Sequence, residues 1–308
     1  MDWRGEIAAA ADRIAAYVRV TPFIDGVGAA FPGGADVTLK LEQLQHSGTF
    51  KARGAFNSLL SRDVPTSGVI AASGGNHGAA VAYAASVLGY PAEIFVPTIA
   101  SPAKVARLES YGATVHMTGN EFAETLEACN ARQAETGAIS IHAYDAPETV
   151  VGQGTLGREL AAQTQLDTVL VAVGGGGLIG GVSAWYQGDA RLVAVETHGT
   201  AALHNALQAG APVETQVSGI AADALGARVI GELAFANAEQ FVDASVLIAD
   251  EDVAAGQRHL WDQFRLIAEP AGAAAYAAVL CGAYQPQRGE RVGIIVCGAN
   301  TELSKVPA

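Results

Sequence analysis

Lysine is scarce in this chain: only four occur in 308 residues, Lys40, Lys51, Lys104 and Lys305. An enzyme that works through a reactive amine therefore has a short list. Lys51 is the one set among small residues, in Ser47-Gly48-Thr49-Phe50-Lys51-Ala52-Arg53-Gly54-Ala55. Positive charge is scarce too, with 18 Lys and Arg against 31 Asp and Glu and a formal net charge of −13. That balance repels phosphate backbones at long range and weighs against nucleic acid as a partner. The three cysteines, Cys129, Cys281 and Cys297, are odd in number and show no CxxC spacing. Neither a disulfide framework nor a zinc site is expected, and a reducing cytoplasm fits best. No uninterrupted apolar run approaches the roughly 20 residues of a membrane helix. The first stretch is broken by Asp2, Arg4, Glu6, Asp12, Arg13 and Arg19, so no signal-peptide apolar region is expected. Linkers, repeats and low-complexity tracts are missing as well.

What is present is a chain that is 50% hydrophobic, enough for a substantial core. Ile7, Ala11, Ile14, Ala15 and Val18 recur at helical spacing, which predicts a helix over 3–19. From there strands and helices alternate. Strands are expected at 37–41, 68–72, 92–96, 113–117, 138–141, 168–173, 191–196, 241–248 and 292–296. Helices are expected at 52–60, 77–88, 102–111, 120–135, 150–162, 178–186, 251–265 and 270–281. Such alternation means right-handed crossovers and an α/β fold of mainly parallel sheets flanked by helices. Two intertwined lobes are expected, 1–40 with 143–308 as the larger and 41–142 as a smaller inserted one. A ligand cleft belongs between them, at the carboxyl ends of strands.

Four segments carry candidate chemistry. Gly174-Gly175-Gly176-Gly177-Leu178 follows an apolar strand and opens a helix, where converging amides and the helix N-terminus favour a phosphate. A flexible tight turn is the plainer alternative. The same run fits GxGxxG through Gly175, Gly177 and Gly180, with Glu196 near the end of the next strand, as in dinucleotide sites. Ser73-Gly74-Gly75-Asn76-His77 lies at a second strand-to-helix junction, where exposed amides could hold a carboxylate; Asn76 could equally be a helix cap. Cys297-Gly298 follows the last strand and by itself reads as an inert buried thiol. Glu269-Pro270 could simply start a helix.

Together these segments resemble the fold-type II pyridoxal-phosphate enzymes (tryptophan synthase beta-like), and within them the threonine/serine dehydratases and the related serine racemases. The matching residues run in order along nearly the whole chain: Lys40-Leu41-Glu42 and Gln45, Gly48 to Ala55, Ser73 to His77, the glycine run, Glu269-Pro270 and Cys297-Gly298. The resemblance implies that Lys51 forms a Schiff base with pyridoxal 5'-phosphate and later takes the substrate's α-proton. It places Gly174, Gly175, Gly176, Gly177 and Leu178 on the cofactor phosphate, Asn76 on its ring oxygen, Phe50 against its ring and Cys297 on its ring nitrogen. Ser73, Gly74, Gly75, Asn76 and His77 would cradle the substrate carboxylate. The larger lobe would then bind the cofactor and the smaller the substrate.

The activity implied is β-elimination from L-threonine or L-serine, the cofactor phosphate helping the hydroxyl leave, to give a 2-oxo acid and ammonia. Threo-3-hydroxyaspartate dehydratase and serine racemase are alternatives on the same scaffold. Racemases of this branch carry a second serine where this chain has Gly74, which has no proton to give. Some relatives bind a cation through a carboxylate at the Glu196 position and another six residues on. Here that second place is Ala202, so no metal is expected and Glu196 reads as a surface acid at a strand end. Family habit implies a homodimer, and the chain length leaves no room for an appended regulatory domain. A nicotinamide-dependent oxidoreductase and a non-catalytic binding protein remain as rivals.

Overall fold

Largely apolar strands such as Thr168–Ala172, buried at every position, set the pattern of the computed structural model. It describes residues 1–31 and 35–302, so Lys305 lies outside it. The strands are β1 (Phe23–Ile24), β2 (Asp36–Lys40), β3 (Val69–Ala72), β4 (Ala92–Val96), β5 (Thr114–Met117), β6 (Ile139–Ser140), β7 (Thr168–Ala172), β8 (Arg191–Thr197), β9 (Ala244–Ile248) and β10 (Arg291–Ile295). One sheet has six strands in the order β1-β2-β10-β7-β8-β9, and the other has four, β5-β4-β3-β6. Among the strands named, β1 and β2 pair antiparallel, and every other strand-to-strand pairing is parallel. Strands buried on both faces need helices to cover them, and helices lie between them along the chain. The result is an α/β architecture of mainly parallel sheets flanked by helices.

Chain order explains the interlocking. β2 and β10 pair in register, Thr38 beside Gly293, so strands from the two ends of the chain lie side by side in the larger sheet. All strands of the smaller sheet fall between residues 69 and 140. The alanine-rich helix Pro270–Leu280 is apolar all round and nearly wholly buried, its small side chains permitting close approach to the larger sheet.

Element bounds depart from the sequence reading in a few places. The first helix stops at Ile14, not 19: the amides of Tyr17 and Val18 turn back to the Ile14 carbonyl, and Tyr17 stacks on Phe56 with centroids 5.4 Å apart. Phe241 closes the helix Glu232–Phe241, so its strand begins only at Ala244. Two further helices, Ala202–Ala209 and Ala222–Leu225, lie in a stretch whose periodicity is weak.

Three motif residues around the lysine corner are structural. Arg53 is fully buried and donates to both oxygens of Glu42, at 2.6 and 3.0 Å, and to Glu159 at 2.9 Å. Lys40, also buried, pairs with Glu159 and donates to Gln163 and the Thr21 carbonyl, each at 2.7 Å. This network ties β2 and the helix Lys51–Leu60 to the long helix Pro147–Gln163, and it fixes where Lys51 sits.

Candidate active site

Lys51 opens the helix Lys51–Leu60, and the turn before it is stitched to the end of β10. Thr49 bridges Gly298, and the Phe50 amide donates to the Cys297 carbonyl at 3.2 Å. Those two links bring the lysine corner and the cysteine, 246 positions apart by number (297 − 51), to one cavity. Lys51 keeps some surface there, but its amine is cut off from bulk water and donates to the Ala143 carbonyl at 2.7 Å. Desolvation lowers its pKa to about 8, with the Cys297 thiol acting weakly the other way. Its nitrogen lies 5.2 Å from the centre of the Phe50 ring.

The cavity also gathers Asn76, the whole run Gly174 to Leu178, and Cys297. Each position of that run is tight for anything larger than glycine. A Cβ on Gly174 would stand 2.9 Å from the Leu225 backbone, and one on Gly177 3.0 Å from Tyr144 Cα. On Gly175 it would overlap the Tyr144 ring, and Gly176 has φ +93° with Ala234 packed against it. No side chain caps the ten-residue helix Gly177–Tyr186, so its first amides are available to an anion. An amine of lowered pKa, an uncapped glycine cradle and a neutral thiol in one cavity fit pyridoxal phosphate.

Asn76 is the first residue of its helix, and Gly75 takes the cap position. Its side chain turns outward: Nδ2 donates to Glu269 Oε1 at 2.6 Å, and Oδ1 accepts from Asn300 Nδ2 at 2.6 Å. Ser73, Gly74, Gly75 and His77 do not line the cavity. His77 is buried with Nε2 2.7 Å from the Ile141 carbonyl; burial, then the nearby Lys51, lower its pKa to about 3, so it stays neutral. The Cys297 thiol donates to the Ala271 carbonyl at 3.5 Å, and burial followed by the charge of Glu269 keeps it protonated.

Glu196 is not a surface acid. It is fully buried and accepts from the Leu203 and His204 amides at 2.8 and 2.7 Å, serving as the anion at the start of the helix Ala202–Ala209. Burial still raises its pKa to about 7. Among the described residues no group of three or more His, Cys, Asp or Glu could hold a metal.

Tyr144, Leu225 and Glu269 line the cavity without having been singled out as site residues by the sequence. Only Glu269 left a signal, an acid directly before a helix-initiating proline. Burial raises its pKa to about 7, against the Asn76 hydrogen bond.

Comparison with known proteins places this geometry. The profile of the family "Pyridoxal-phosphate dependent enzyme" matches residues 14–298. The phenylserine dehydratase of Ralstonia pickettii is 38% identical over 304 residues, 97% of this chain and 93% of that protein. The L-threonine ammonia-lyase of Thermotoga maritima is 35% identical over 279 residues, 89% of this chain and 69% of that one. Maize serine racemase superposes with a TM-score of 0.92 at 32% identity, covering 98% of this chain and 94% of that structure.

Proposed function

The chain belongs to the pyridoxal-phosphate dependent enzymes, and we propose that it converts a 2-amino-3-hydroxy acid, L-threonine or L-serine, to the 2-oxo acid and ammonia. The observation that carries this is the Lys51 amine, desolvated and facing the Gly174–Gly177 cradle across one cavity. Lys51, Phe50, Asn76, the glycine run with Leu178, and Cys297 would hold the cofactor. When bound, pyridoxal phosphate supplies an electron sink that makes the α-hydrogen of an amino acid acidic.

The chain's own groups then have separate tasks. The glycine loop and the uncapped helix start bind the phosphate. With a pKa near 8, about a tenth of Lys51 is neutral at pH 7, against a negligible share for an ordinary lysine, so it can accept the α-proton. Cys297 stays an uncharged thiol, so no anion there holds a proton on the ring nitrogen. The Ser73–Gly75 backbone, one step from Asn76, would bind the substrate carboxylate, with His77 bracing that loop from behind. Loss of the α-proton and β-hydroxyl leaves an enamine, which takes up water and releases ammonia.

The resemblance to a serine racemase favours racemisation as a second reading, but Gly74 offers no acid on the opposite face. We further propose a homodimer in the cytoplasm, with the cofactor on the six-stranded lobe (1–40 and 143–308) and the substrate on the four-stranded one (41–142). Three free thiols support the reducing compartment, and no helix among the described residues is long and apolar enough to cross a membrane. The test is turnover: purified protein loaded with cofactor should release 2-oxo acid and ammonia in equal amounts from threonine or serine. Cofactor retained without turnover of any hydroxyamino acid, 3-hydroxyaspartate and phenylserine included, would contradict it.

A further inference from the structure

We propose that Asn300 and Glu269 are positioning residues that lock the Asn76 amide as a hydrogen-bond donor toward the ring oxygen of the cofactor. The inference rests on the reading above, which gives Asn76 that partner, and it adds what makes the amide face the right way.

An asparagine amide has a donor end and an acceptor end of nearly the same shape, so something must choose between them. Asn300 Nδ2 donates to the Ser47 carbonyl at 2.9 Å and to Asn76 Oδ1 at 2.6 Å. A backbone carbonyl only accepts, so the Asn300 amide cannot reverse. Both of its hydrogens are then spent, and the atom of Asn76 beside it must be the oxygen. At the other end Asn76 Nδ2 donates to Glu269 Oε1 at 2.6 Å. A flipped Asn76 would set donor against donor at Asn300 and acceptor against a carboxylate at Glu269. One Asn76 hydrogen goes to Glu269, and the second is left for a ligand in the cavity that Asn76 and Glu269 both line.

The backbone makes room for this relay at two glycines. A Cβ on Gly48, which has φ +76°, would overlap Asn300 Oδ1, and a Cβ on Gly298 would overlap Glu269 Oε1. Ser47, whose carbonyl anchors the relay, is a non-glycine residue at φ 58°. Asn76 stands on the helix after β3 of the smaller sheet, whereas Glu269 and Asn300 flank the last helix and strand of the larger one. The lock therefore joins the two sheets at the cofactor's edge.

Apoproteins of the wild type and of Asn300→Ala, Asn300→Asp, Glu269→Gln and Glu269→Ala are titrated with pyridoxal phosphate. The readouts are the dissociation constant, the position of the visible band, and lysine labelling by borohydride. With the lock lost, Asn300→Ala and Glu269→Ala should bind about five- to tenfold more weakly, the worth of about one hydrogen bond, with a displaced band. Asn300→Asp should be worse than Asn300→Ala, because its carboxylate draws the Asn76 nitrogen round and turns the carbonyl to the cofactor. Glu269→Gln keeps an acceptor oxygen and should stay near wild type. Wild-type affinity and band in both Asn300 variants would overturn the lock, as would Glu269→Gln behaving like Glu269→Ala. Wild-type protein that fails to bind cofactor or to label at Lys51 would instead remove the underlying reading, and the lock with it.

Discussion

Lys51 donates to the carbonyl oxygen of Ala143 at 2.7 Å, and that bond holds the reactive amine beside Tyr144, whose ring covers Gly175. The amine, the chain crossing between the sheets and the phosphate cradle are thus fixed to one another before any ligand arrives.

Loading should follow the ionisation of this amine. Desolvation sets its pKa to about 8, so the neutral form grows as pH rises through that value. The rate at which apoprotein captures pyridoxal phosphate should climb between about pH 7 and 9 and then level. Stopped-flow absorbance measures it; a rate still rising toward the ordinary lysine range would contradict the assignment.

Arg53 should matter for stability before it matters for catalysis. Arg53→Met leaves the buried Glu42 without its paired cation and Glu159 with Lys40 alone. Removing one partner of a buried ion pair costs about 3–5 kcal/mol, which denaturant melts of the apoprotein would register. A midpoint unchanged from wild type would show the network to be dispensable.

Glu196 makes stability depend on pH with a definite sign. Its folded pKa of about 7 lies above the ordinary 4.5, so between those values the folded chain keeps a proton that the unfolded chain has released. Stability therefore falls as pH rises through that window, by up to about 3 kcal/mol from this group. Glu269 contributes in the same window, so the informative quantity is the difference between wild type and Glu196→Gln. That difference should change from pH 4.5 to 7 and flatten above; parallel curves would refute it.

Much of this was legible in the sequence because local rules and global fold agree. The βα alternation marked nearly every strand, and the scarcity of lysine singled out Lys51. Glu196 misled because strand-end acids are usually exposed; only the packing of the helix Ala202–Ala209 over it shows the burial. Tyr144 and Asn300 were invisible for a related reason. Their roles come from contacts with Gly175 and Asn76, far away in number and carrying no local pattern.

Under the proposed function, Gly74 is the position that favours elimination over racemisation. A Cβ there would meet Val96 Cγ1 at 3.2 Å, tight but adjustable by a small side-chain shift. Gly74→Ser should therefore fold, and with L-serine it should add measurable D-serine to the 2-oxo acid product. Chiral chromatography reads the outcome, and unchanged product stereochemistry would weaken the role given to this position.

The visible spectrum before and after borohydride tests the Schiff-base role of Lys51 most directly. Purified protein loaded with pyridoxal phosphate should be yellow, lose that band on reduction, and carry the cofactor on the peptide containing Lys51. Lys51→Ala should neither fix the cofactor nor turn over substrate. A colourless protein that cannot be reconstituted, or label on Lys40 or Lys104 in place of Lys51, would contradict the central claim.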